Sequence, residues 1–156
     1  MSVNTEDIKK LREETGAGVL DCKRALDESK GNFEKAKEII KEKGFLKADK
    51  KASRETSQGL IETYVHGGGK VGVMLELLCE TDFVARNSDF KKLAHELAMH
   101  IAAMEPKNIK ELLKQNYIRD MSVTVEALIK QHIAKIGENI VLKRFERYVL
   151  GFQSKD

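Results

Sequence analysis

Between Gln58 and Met104 the hydrophobic period of this chain changes once, and that change limits the folds open to it. Ile61, Thr63 and Val65 alternate with Glu62, Tyr64 and His66, and the alternation resumes over Val71, Val73, Leu75, Leu77 and Cys79. Side chains alternate across a strand with this period of two, so both runs read as strands. Gly67-Gly68-Gly69 between them supplies the turn of a β-hairpin. Met74 and Leu78 make the second strand apolar on both faces, so it is expected to be central and covered. From Phe90 the period becomes helical. Phe90, Leu93, Ala94, Leu97, Ala98, Ile101 and Met104 share one stripe, with Ser88 as the expected N-cap and Pro106 beyond the end.

Between the two periods lies Thr81-Asp82-Phe83-Val84-Ala85-Arg86-Asn87. A short polar turn held between a strand and a helix has a fixed pose. Phe83 belongs to neither flanking pattern, so it is either a core plug or an exposed wedge.

The remainder of the C-terminal part continues the same logic. Ile109, Leu112 and Leu113 mark a short helix. Another begins near Ser122 or Thr124, buries Val125, Leu128, Ile129, Ile133 and Ile136, and ends at Gly137. Residues 140–150 read as a third strand with apolar residues on both parities, hence with both faces partly covered. The expected fold class is α+β, with helices laid against an antiparallel three-stranded sheet. Such a narrow sheet leaves surface that a second copy of the chain could cover.

The N-terminal part reads as three short helices. Thr5 is the expected first N-cap, and Ile8 and Leu11 share a face. Thr15-Gly16-Ala17-Gly18 breaks that helix. Cys22, Ala25 and Leu26 line the second, which Gly31 closes. Asn32 caps the third, which carries Phe33, Ala36, Ile39 and Ile40 and is expected to end at Gly44. Val19 and Leu20, just after the glycine break, fall either in the small core or on its rim. The charged stretch from Lys47 to Thr56 has no apolar face and reads as a linker or a solvated helix. The domain boundaries expected are therefore a three-helix unit at 1–46, a linker at 47–57 and an α+β core at 58–156.

Several functions are disfavoured by composition. Charged residues make up 34% of the 156 residues, but the net charge is only +3 and the signs are mixed. A dedicated nucleic-acid binder concentrates basic residues on one face, so no direct nucleic-acid contact is expected. The lysines of the linker are interleaved with Asp49 and Glu55 and lack an aromatic for stacking. Gly67-Gly68-Gly69-Lys70 leads into a strand rather than a helix, so it is no phosphate loop. Cys22 and Cys79 sit inside apolar patterns as buried, reduced thiols, and neither they nor the four histidines have metal-ligand spacing. No nucleophile–base motif is present. The first residues lack the features of a signal or transit peptide, and no apolar run approaches the ~20 residues of a membrane span. A cytoplasmic binding protein without a cofactor, and not an enzyme, is the expectation.

Two longer motifs and one shorter one carry a family likeness. Residues 15–26, Thr15-Gly16-Ala17-Gly18-Val19-Leu20-Asp21-Cys22-Lys23-Arg24-Ala25-Leu26, resemble the N-terminal signature of bacterial elongation factor Ts. Thr81 to Asn87 resembles its second signature, and Ile136-Gly137-Glu138-Asn139-Ile140 resembles the approach to its last strand. The resemblance implies a guanine-nucleotide exchange factor for elongation factor Tu, the GTPase that carries aminoacyl-tRNA in translation. It implies a ubiquitin-associated-like (UBA-like) N-terminal domain and a dimerisation-type core. Leu11, Val19 and Leu20 would dock on the GTPase, while Thr81, Asp82, Phe83 and Val84 would disturb its Mg2+ and phosphate site. Longer members carry two core modules and an inserted helical hairpin. The single module here resembles the short form, which implies a homodimer in a 2:2 complex with GDP-bound or nucleotide-free elongation factor Tu. A peptide-binding adaptor built on the three-helix unit would give the second signature no role, and an RNA-binding protein would need steep salt dependence.

Overall fold

The computed structural model describes residues 3–151. Three helices come first: α1 (Thr5–Thr15), α2 (Val19–Glu28) and α3 (Phe33–Lys51). The hairpin β1 (Gln58–His66) and β2 (Val71–Cys79) follows, then the single turn α4 (Asp82–Ala85) and the long α5 (Ser88–Met104). The chain closes with α6 (Ile109–Lys114), β3 (Asn116–Tyr117), β4 (Asp120–Thr124), α7 (Val125–Ile136) and β5 (Val141–Val149). This is the α+β arrangement expected: a helical N-terminus and helices packed on an antiparallel sheet of order β1-β2-β5. Among the described residues no helix is long and apolar enough to cross a membrane.

Small polar side chains set where the helices begin. Asn4, Asn32, Asn87, Asn108 and Thr124 each accept a hydrogen bond from a backbone N–H of the first turn. Two caps thus sit one residue before those expected, at Asn4 rather than Thr5 and at Asn87 rather than Ser88. In both cases an Asn carbonyl reaches the second N–H of the helix. Helix α2 already ends at Glu28; Gly31, at φ +82°, lies beyond it and donates its N–H to Leu26 O.

Helix α3 does not stop at Gly44. It runs to Lys51, and its second half lies across α7, with Ala48 buried in the sheet-side core. A Cβ on Gly44 would sit 3.2 Å from Ala134 Cβ, so this glycine lets two helices approach closely. Lys130 and Asp49 pair at 3.0 Å across the same crossing. The three-helix unit has its own small core of Leu11, Cys22, Ala25, Leu26, Ala36 and Ile39.

On the sheet, β2 is central as expected, and Val73, Leu75, Leu77 and Cys79 face α5, where they meet Phe90, Leu93 and Leu97. The mixed parity of β5 has a local cause. Glu76 pairs with Arg144 but Leu77 pairs with Leu142, so Lys143 is an extra residue in a bulge. The bulge turns both Leu142 and Phe145 toward the helices, opposite Leu77 and Leu75. The irregularity is why Leu142 and Phe145, of opposite parity, share the helix-side face; Val141 and Tyr148 lie on the opposite one. The opposite face is open: Met74 is 55% exposed and Tyr148 76%. The turn of the hairpin uses Gly67, Gly68 and Gly69 at φ +63°, +68° and +91°, which side chains disfavour. A second ladder, β3 with β4, was not expected from the sequence, because two paired residues are too few to show a period.

Candidate functional site

The turn 81–87 is built from its backbone outward. Cys79 ends β2 inside the core, and its thiol donates to Thr81 O at 3.2 Å. Burial, followed by the charge of Glu138, pushes that thiol up to about 11, so it stays protonated and remains a donor. Thr81, with φ −122° and ψ 151°, is the N-cap of α4, and its hydroxyl accepts from Val84 N at 3.3 Å. Val84 and Ala85 turn inward onto the core. Asp82 pairs with Arg86 along the outside of the turn at 2.9 Å.

That geometry decides the status of Phe83. With Val84 and Ala85 inward on a single helical turn, Phe83 points out, and it is 77% exposed. Of the two readings left open by the sequence, the exposed one holds. An aromatic ring left in water forgoes the roughly 1.5–3 kcal/mol that full burial would contribute.

The turn is anchored from the far end of the chain. Glu138 Oε1 accepts from Glu80 N (3.1 Å) and Thr81 N (3.0 Å), and Glu138 Oε2 accepts from Thr81 Oγ1 (2.7 Å). In return Glu80 Oε1 accepts from Asn139 N at 2.8 Å. Asn139 is itself buried, and its side-chain amide donates to Ala52 O (3.4 Å) and Arg54 O (3.0 Å) between α3 and β1. Sequence reasoning read Gly137 as a helix end, but Glu138 and Asn139 only as part of the likeness over 136–140. Their physical work was not legible, because the partners lie more than fifty residues away.

The N-terminal residues separate into two kinds. Leu20 is 67% exposed and Val19 is also exposed, on the first turn of α2, where Gly18 brings no side chain to cap. Leu11 is at 0% exposure, inside the three-helix core. It therefore offers no docking surface and instead packs with Cys22, Ala25 and Leu26 beneath α2, the helix that carries Val19 and Leu20. Val84 is likewise buried, so of residues 81–84 the side chains of Thr81, Asp82 and Phe83 face outward.

Lys135 links the two regions. Its stem lies 3.2 Å from where a Cβ on Gly16 would be, and its ammonium is 3.6 Å from the Asp89 carboxylate. The last turn of α7 therefore touches the first motif at Gly16 and α5 at Asp89, two residues past the second motif.

Comparison with known proteins points to one family. A family model described as Elongation factor TS matches residues 80–154. Elongation factor Ts of Coprothermobacter proteolyticus is 42% identical over 196 residues, covering 97% of this chain and 100% of that protein. Elongation factor Ts of Fervidobacterium nodosum is 44% identical over 196 residues, again covering 97% and 100%. Elongation factor Ts of Aquifex aeolicus is 54% identical over 153 residues, covering 95% of this chain and 53% of that protein. In the first two cases the match runs along nearly the whole length of both proteins, and the chain belongs to the elongation factor Ts family of translation factors.

Proposed function

We propose that this protein is a guanine-nucleotide exchange factor for elongation factor Tu and that Phe83 is its wedge. The observation that carries this reading is the exposure of Phe83 at 77% on a turn whose backbone is tied down on both sides. Val19 and Leu20 provide a separate apolar contact to the GTPase, and Thr81 to Phe83 act at its Mg2+ site. Inserting the ring displaces the side chains that coordinate the metal, and GDP phosphate then loses its counter-charge. The protein makes and breaks no covalent bond. It binds the nucleotide-poor state of the GTPase more tightly, and by linkage GDP weakens its binding by the same ratio. Burying one Phe is worth about 1.5–3 kcal/mol, so one ring shifts the preference roughly ten- to a hundredfold.

The same reading treats residues 1–46 as a UBA-like docking unit and 58–156 as the core; of the expected linker 47–57, residues 47–51 are instead the end of α3, with Ala48 buried in the core, and 52–57 make the connection. The open face of the sheet, with Ile61, Val65, Met74 and Tyr148 exposed, supports a homodimer that binds two GTPases.

The test is release of labelled GDP from elongation factor Tu with and without this protein. Acceleration that excess GDP reverses is expected, and Phe83→Ala should slow it about tenfold or more, with helix content unchanged. A Phe83→Ala variant with full exchange activity would remove the wedge, and no acceleration by the unmodified protein would remove the function.

A further inference from the structure

We infer that Glu138 is a positioning residue for nucleotide exchange: its carboxylate holds the backbone of Glu80 and Thr81 and thereby fixes where Phe83 points. This rests on the exchange-factor reading, and it assigns a role to a residue that lies outside both docking segments.

The geometry is specific. One carboxylate oxygen takes two consecutive backbone N–H groups, and the other takes the Thr81 hydroxyl. A carboxylate is suited to this because it only accepts, and charge-assisted bonds of this kind are the strong ones. With its proton committed to Glu138, the Thr81 hydroxyl presents a lone pair to Val84 N, which closes α4. The chain of contacts thus runs from Glu138 through Thr81 to the turn that carries Phe83. A helix of four residues has too few internal bonds to hold its own direction, so an outside anchor decides it. Glu138 follows Gly137, whose φ of +89° ends α7 and turns the chain toward β2. The side chain that reaches Thr81 is therefore mounted on the end of a packed helix.

The experiment is GDP release from elongation factor Tu, titrated with the full chain carrying Glu138→Ala, Glu138→Gln, Phe83→Ala or both Glu138→Ala and Phe83→Ala. Glu138→Ala is expected to lower the maximal release rate about tenfold, with the half-saturating concentration changed less than about twofold. Glu138→Gln, which keeps the volume but puts a donor against the Thr81 hydroxyl, should fall between. The double variant should be no slower than Phe83→Ala alone, because a residue that acts only through the ring has nothing left to position. Hydrogen exchange should show the amides of Glu80, Thr81 and Val84 losing protection while those of Leu75 and Leu93 keep theirs. Losses that add in the double variant, or a Glu138→Gln protein with unchanged rate and unchanged protection, would overturn the inference. If Glu138→Ala fails to fold, the Gln variant carries the test. If the unmodified protein releases no GDP, the functional reading itself has failed, and the hydrogen-exchange arm still decides whether Glu138 holds the turn.

Discussion

Single side chains in this protein divide by whether they face solvent or carry a constraint. Leu20 faces solvent at the start of α2. If it docks on the GTPase, Leu20→Asp should raise the half-saturating concentration for GDP release about ten- to a hundredfold, since burying a Leu is worth about 1.5–3 kcal/mol. The maximal rate should hold, which a titration separates from the Phe83 effect. Gly59 carries a backbone constraint. At φ +152° its Cβ would lie 2.0 Å from Leu77 O, and a backbone oxygen in the middle of β2 cannot move aside. Gly59→Ala should cost about 3 kcal/mol or more in urea unfolding. His100 carries a protonation constraint. It is fully buried on α5; its Nδ1 accepts from Ile118 N at 3.2 Å, so its Nε2–H donates to Gln115 Oε1 at 2.9 Å. Burial lowers its pKa, as it does for His132, whose ring sits near Lys92 and Lys135 and near Asp89. The unfolded chain therefore binds more protons than the folded one just below the ordinary His value of 6.5. Stability from this source is complete above that value and is lost as pH falls through it toward the folded values. Thermal unfolding should move to lower temperature between about pH 7 and pH 5. His100→Gln should be less stable at pH 7 but show a shallower dependence.

At the scale of elements, the caps and crossings decide more than the propensities. Helix α4 exists because Thr81 caps it and Glu138 anchors the cap. Thr81→Val keeps the shape and removes the hydroxyl; a lost cap costs about 1 kcal/mol. GDP release should slow and urea unfolding should show a loss of about 1 kcal/mol, and Thr81→Ser should restore both. The crossing of α3 over α7 depends on Gly44 facing Ala134. A helix-interior glycine costs about 1 kcal/mol against alanine, so a helix former here would be favoured if the site were open. At 3.2 Å it is not open. Gly44→Leu should destabilise by about 1–3 kcal/mol through overpacking, and limited proteolysis between Ala52 and Ser57 should speed up as α3 lifts away. The sequence showed α3 as a helix from its apolar spacing but placed its end at the glycine. Glycine weakens a helix locally, and only the neighbour across the crossing shows why it is there.

On the scale of the whole molecule, Lys135 of α7 reaches both Gly16 and Asp89, and the open sheet face offers a separate surface. Glu76 and Arg144 pair across that face at 2.8 Å, and Glu146 stands opposite Met74, so charges interrupt its apolar residues. If two copies pack there, sedimentation should give a dimer at micromolar protein. Its melting temperature should rise with concentration, since assembly stabilises the folded state by mass action. Met74→Arg should yield a monomer that keeps the fold, because Met74 touches no part of the core on the helix side.

Period and turn chemistry, written in the residues themselves, determined most of the secondary structure. The hairpin, its central strand, the stripe of α5 and the end of α7 at Gly137 all follow from local spacing, as does the short polar turn between sheet and helix. What the chain could not declare locally was anything that depends on a distant partner. The bulge at Lys143, the passage of α3 through Gly44 and the grip of Glu138 on Thr81 each join residues far apart in sequence, and whether Phe83 is left uncovered and Leu11 buried depends on how the elements pack. Local spacing carries which face of an element is apolar; only the packed structure decides what, if anything, covers that face.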